Sequence, residues 1–177
     1  RIHYHEASMP LRQMTIDGNR TEGSDIDFLI DYSPAATIPI GSGVVEELRY
    51  DIPQGKYSEL LLQWQPQEGM IFKVEGQFRN DNGINYPLRI ELAVDGLMSI
   101  AYEGNALDFQ GEKANGTIVL NVNDWFSNAQ LGLLNNAELV QEDGVDVLLI
   151  NPQHNTKLYQ PIFTAFAKNP QHYWRIN

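Results

Sequence analysis

The chain has 177 residues, enough for one hydrophobic core and short for two. Twelve Lys and Arg stand against 23 Asp and Glu, a formal net charge of −11, so a nucleic-acid backbone or an anionic membrane would meet repulsion rather than a basic patch. With 42% hydrophobic and 10% aromatic residues the chain carries enough apolar surface to fold, and the lack of cysteine excludes disulfides, thiolate metal sites and cysteine nucleophiles.

No apolar run approaches the roughly 20 residues that cross a bilayer, so no transmembrane segment is expected. The first residue is Arg1 rather than Met. A leader removed ahead of it would fit an exported protein, and that is the expectation taken here.

Residues 1–25 are the least patterned part of the chain. Asp17-Gly18-Asn19 and Glu22-Gly23-Ser24 read as loop, which leaves Ile2 to Met14 as an edge strand or a loose arm. From there apolar residues recur with period two, broken by turn residues, the pattern of packed antiparallel strands. Strands are predicted over Ile26 to Asp31, Val44 to Asp51, Tyr57 to Gln65 and Ile71 to Phe78. Further strands are predicted over Tyr86 to Val94, Leu97 to Tyr102, Gly116 to Val122 and Val145 to Ile150, with a short one over Gln171 to Ile176.

Pro53-Gln54-Gly55 reads as a tight turn whose flanking strands pair. After it, Ser58, Leu60, Leu62 and Trp64 fall on one face, predicted to be core, and Tyr57, Glu59, Leu61, Gln63 and Gln65 on the other. Asn82-Gly83 and Asp95-Gly96 carry residues that tolerate positive φ, the requirement of a type I′ hairpin, and Asp81 and Asp143-Gly144 read as turn residues. Helix is expected in two places. Asn123 or Asp124 would cap a short turn through Trp125 and Phe126, and a regular helix is expected from about Pro161 to Lys168, ended by Asn169-Pro170. Together these elements predict one domain over residues 1–177, an all-β antiparallel sandwich with one short C-terminal helix.

Chemistry-bearing motifs are sparse. Gly41-Ser42-Gly43 matches neither a hydrolase nucleophile elbow nor a dinucleotide fingerprint, and no cofactor is implied. His3 and His5 alternate along an extended segment and would share a side, a start for copper or zinc that lacks further ligands. Asp17, Asn19, Glu22, Asp25 and Asp27 form an oxygen-rich stretch of the composition calcium prefers, with Asp25 and Asp27 on one strand face and Asp31 one pleat further on; the spacing is not that of an EF-hand loop. Glu75 and Glu91, placed across neighbouring strands, are the carboxylate pair a glycosidase would need. Among aromatic residues Trp64 and Trp125 read as core. Trp174 and Tyr173 are the expected exposed ligand contacts, with Tyr57 and Tyr86 as alternatives.

The stretch Asp51-Ile52-Pro53-Gln54-Gly55-Lys56-Tyr57-Ser58 followed by an alternating strand resembles a feature of bacterial cell-envelope lipoprotein domains. Glu75-Gly76, Asn123-Asp124-Trp125-Phe126 and the run from Asn155 to Tyr159 resemble the same group, over about Val44 to Phe163. These are prealbumin-like or immunoglobulin-like β-sandwiches, many of them uncharacterised and from Bacteroidetes, distantly similar to the periplasmic partner protein of methanobactin. The resemblance implies an exported protein of the periplasm or outer-membrane surface, lipid-anchored through a cysteine that would lie upstream of Arg1. It supplies no functional residue. The expected function is a non-catalytic envelope binding or adhesion module that contacts glycan or protein, with a periplasmic copper- or calcium-binding protein as the alternative and a glycoside hydrolase as a third reading.

Overall fold

The computed structural model describes residues 1–40, 51–65, 71–93, 98–102, 107–110, 116–119, 125–126, 131–168 and 173–176. The predicted strand from Val44, the Asp95-Gly96 connection, the Asn123 and Asp124 cap and Asn169-Pro170 lie outside the described residues. In chain order the strands are β1 (Ile2–Arg20), β2 (Ile26–Ile40), β3 (Gly55–Gln65), β4 (Ile71–Arg79), β5 (Asn85–Ala93) and β6 (Met98–Tyr102). They continue with β7 (Leu107–Phe109), β8 (Gly116–Val119), β9 (Val140–Glu142), β10 (Val145–Ile150) and β11 (Tyr173–Ile176). Among the described residues a 3-10 helix covers Leu131–Asn136, an α-helix, α1, covers Thr156–Lys168, and Trp125 and Phe126 lie in a helical turn, as expected.

The segment expected to be an edge or a loose arm is the spine of the fold. One edge of β1 pairs with β2 between Ala7 and Gly18. The opposite edge pairs with β4 from Ile2 to Ser8 and with β3 from Gln13 to Arg20. The β1–β2 ribbon is therefore common to two sheets, one continuing through β4, β5, β10 and β9, the other through β3, β6, β11 and β8, with β7 also on β3. A strand changes sheets where a bulge bends it, and the β1–β2 register jumps from Leu11↔Ala36 to Gln13↔Asp31 at that corner. Side chains from both sheets meet in one core: Met9, Leu11, Met14 and Ile16 of β1 with Leu62 and Trp64 of β3, Phe72 and Val74 of β4, and Leu88 and Ile90 of β5. The molecule is thus an all-β sandwich. Among the described residues its pairings are antiparallel except β10 with β5 and β11 with β6, which are parallel.

Bulges also explain where simple alternation fails. On β3, Leu60, Leu62 and Trp64 point into the core as their spacing predicts, each 2% exposed. The β1–β3 register then passes from Asn19↔Glu59 to Arg20↔Tyr57, leaving Ser58 as the extra residue. Parity inverts there, so Tyr57, expected outside, is fully buried and Ser58, expected inside, is exposed. A buried tyrosine hydroxyl needs a partner, and that of Tyr57 donates to the carbonyl of Pro53 in the preceding turn. Trp125 is also fully buried, with its ring edge-on to Phe72 at 5.3 Å and to Phe166 of α1 at 5.0 Å.

The hairpins divide differently from expectation. At Asn82-Gly83 the turn closes with the Gly83 N–H on the Asn80 carbonyl at 3.0 Å, and only Gly83 takes positive φ, so this is not a type I′ turn. The β9–β10 connection has that signature instead, with φ of 50° at Asp143 and 81° at Gly144. Helix α1 begins five residues before Pro161, so the expected start at that proline is corrected. Two features outweigh the one backbone bond that Pro161 removes. Leu158, Tyr159, Ile162 and Phe166 bury an apolar stripe, and Asn155 fixes the helix entry. The Asn155 carbonyl accepts the amides of Leu158 and Tyr159, and its side-chain amide donates to the Glu138 and Leu149 carbonyls at 2.9 and 2.7 Å.

Candidate functional site: a hollow at the β1–β3–β7 corner

Where β1 ends, β3 begins. The Thr21 amide donates to the Lys56 carbonyl at 2.9 Å, and the Ser58 hydroxyl donates to the Asn19 carbonyl at 3.2 Å. On the other side of this start, Gly55, Lys56 and Tyr57 pair with Phe109, Asp108 and Leu107 of β7. The corner borders an open hollow of about 310 Å³. Its wall is made by Arg20 and Glu22, by Gln54, Gly55 and Lys56, and by Asp108, Phe109 and Gln110. Two cations, two carboxylates, two amides and one ring offer donors, acceptors and an apolar surface together.

Arg20 is the most constrained member. Its Nη2 donates to the Gln54 carbonyl at 2.7 Å, Nη1 reaches the Ser24 carbonyl at 3.5 Å, and the guanidinium carbon lies 5.8 Å from the centre of the Tyr57 ring. Glycine makes room for it, since a Cβ on Gly55, whose φ is 150°, would sit 2.7 Å from Nη2. The nearby Asp25 carboxylate accepts the Arg20 backbone amide at 2.9 Å and does not pair with its side chain. Arg12 and Arg89 are matched by Asp31 and by Glu91 with Glu142, whereas the Arg20 guanidinium has no carboxylate partner among the described residues, and its Nε is buried without a hydrogen bond. Burial raises the Tyr57 phenol above the ordinary tyrosine range, and the Arg20 charge acts in the opposite direction.

The residues singled out from the sequence lie elsewhere or are otherwise engaged. His3 and His5 are exposed on β1; His3 lies opposite Gln77, and His5 is the extra residue where the register shifts between Tyr4 and Glu6. Asp25 precedes β2 and holds the Arg20 amide, Asp27 pairs across the ribbon with Asp17, and Asp31 is bound to Arg12 at 2.6 Å. Among the described residues no three His, Asp or Glu converge on a point. Burial raises the Asp17 carboxyl above its ordinary value, and the facing Asp27 raises it further. Tyr173 and Trp174 lie on β11, flanked by β6 and β8. Glu75 is paired with Lys73 at 2.5 Å, and Glu91 contacts Arg89 at 2.8 Å and accepts from Asn151 at 3.0 Å, so each carboxylate of that pair has a basic partner.

Sequence reasoning passed over Arg20, Lys56 and Phe109. The signal available in the sequence was one arginine inside the acidic run from Asp17 to Asp27, close to four carboxylates. Comparison with protein-family models, with curated proteins and with solved structures gives no match to this chain, so the chemistry of the corner rests on its own residues.

Proposed function

We propose that this chain is a non-catalytic binding module of the cell envelope, and that its contact point for glycan is the hollow at the β1–β3–β7 corner. The observation that carries the reading is the composition of that wall. Amide, carboxylate and cationic groups from Gln54, Gln110, Asp108, Glu22, Lys56 and Arg20 surround the partly exposed ring of Phe109. Sugars are recognised by such sets, with the polar groups reading hydroxyls and a ring face covering the apolar side of the pyranose. Arg20, Lys56 and Asp108 lie on paired strands, and Glu22, Gln54 and Gln110 lie one or two residues beyond strand ends, which lowers the ordering cost of binding. An exported, lipid-anchored setting follows from the resemblance to envelope lipoproteins and belongs to the same proposal.

Amide NMR of the whole chain titrated with a panel of soluble oligosaccharides tests the reading. Shifts concentrated at residues 20–22, 54–56 and 108–110 are expected. A panel that moves no amide, or moves only those of another face, overturns it.

A further inference from the structure

We infer that the ligand of this hollow carries a carboxylate and that Arg20 receives it, which makes an acidic, uronate-containing glycan the class it fits; this rests on the glycan reading above. In a chain with 23 carboxylates and 12 basic side chains, anionic partners for a half-buried cation are plentiful. Arg89, similarly half-buried, has two. Among the described residues Arg20 has none, although Asp25 and Glu22 lie five and two residues away.

The guanidinium is nevertheless fixed in place. Two backbone carbonyls, the Tyr57 ring and the space left by Gly55 and Gly23 hold its plane, so the entropy lost on docking an oxyanion is already largely removed. Carbonyl partners orient the fork without neutralising it. Lys56 lines the same hollow but stands directly opposite Asp108 in the β3–β7 register, so its charge is shared with that carboxylate. Of the two carboxylates in the wall, Asp108 accepts from the Gln110 side chain through both oxygens at 2.9 Å and lies opposite Lys56, whose charge offsets its own. Glu22 is exposed at the rim and opposes it. A planar carboxylate on a sugar ring meets this arrangement with its oxygens on Arg20 and its ring toward Phe109.

The test compares a galacturonate disaccharide, its methyl ester and an acidic hexapeptide by calorimetry on the whole chain. The uronate is expected to bind at least tenfold more tightly than the ester, with an affinity that falls as salt rises. Arg20→Gln should abolish the preference, and Arg20→Lys, which keeps the charge and loses the fork, should reduce it. Because Arg20 also ties two loops, Glu22→Gln supplies an independent check at an exposed position: removing that charge should tighten uronate binding several-fold. Equal binding of acid and ester overturns the inference and leaves the glycan reading standing. Binding of the peptide in preference to the uronate overturns the choice of glycan, and silence from all three ligands overturns the uronate inference and counts against the glycan reading.

Discussion

Gly76 offers the sharpest test of how the two sheets share β1. It lies opposite Tyr4, beside the point where the β1–β4 register shifts. A Cβ built there would stand 2.2 Å from the His3 carbonyl oxygen and 3.1 Å from the Tyr4 Cα, both backbone atoms that no side-chain rotation can clear. In Gly76→Ala the strands must part by about 1 Å, which adds an overpacking cost of roughly 1–3 kcal/mol to the weakening of one ladder hydrogen bond worth about 1 kcal/mol. The sum, roughly 2–4 kcal/mol, corresponds to a Tm lowered by about 4–16 °C in a domain of this size. Gly132 is the control: it is exposed in the 3-10 helix with nothing within 4 Å of where an added methyl group would sit, so Gly132→Ala should stay within about 0.5 kcal/mol of the parent. Urea unfolding followed by circular dichroism measures both. A Gly76→Ala variant as stable as the parent would refute the close approach of β1 and β4.

Two further substitutions probe local physics. Asn155→Ala removes the side-chain bonds to Glu138 and Leu149 and leaves alanine at a φ of 52°, so a loss of roughly 1–3 kcal/mol is expected, and a neutral thermal melt would contradict the role given to this residue. Asp17→Asn should stabilise at neutral pH, because two facing carboxylates on paired strands repel, by about 0.2–1 kcal/mol. The sign with pH follows from the raised Asp17 value: the folded chain holds that proton more tightly, so stability is lost as pH climbs from 3.8, the ordinary value, through the folded one. The gain from Asp17→Asn should therefore vanish below that window, and a gain that persists there would contradict the assignment.

Much of the sandwich was legible where alternation runs without interruption. Leu88, Ile90 and Leu92 on β5 and Leu60, Leu62 and Trp64 on β3 are buried as their spacing requires. On β1 the same rule fails, because its inward set changes parity twice, from Ile2 and Tyr4 to Ala7, Met9 and Leu11, and then to Met14, Ile16 and Gly18. Each change falls on a register shift, at His5 and at Arg12, and an unbroken count of period two sees only noise across them. The parallel placement of β10 was hidden for another reason. Its Val147-Leu148-Leu149-Ile150 run is buried throughout, the sign of a strand covered on both faces, but nothing local names the neighbour from sixty residues earlier. The hollow was hidden most completely, since it joins residues 20–22, 54–56 and 108–110, which only long-range pairing brings together.

The Arg20 hollow exists only if residues 2–20 are a paired interior strand. Amide hydrogen exchange of the native chain measures this directly. Amides of β1 between Ala7 and Gly18, flanked over most of that length by two partner strands, should exchange as slowly as those of β5. Exchange of that stretch within the dead time of the experiment, as for an unpaired arm, would contradict the architecture and the binding site built on it.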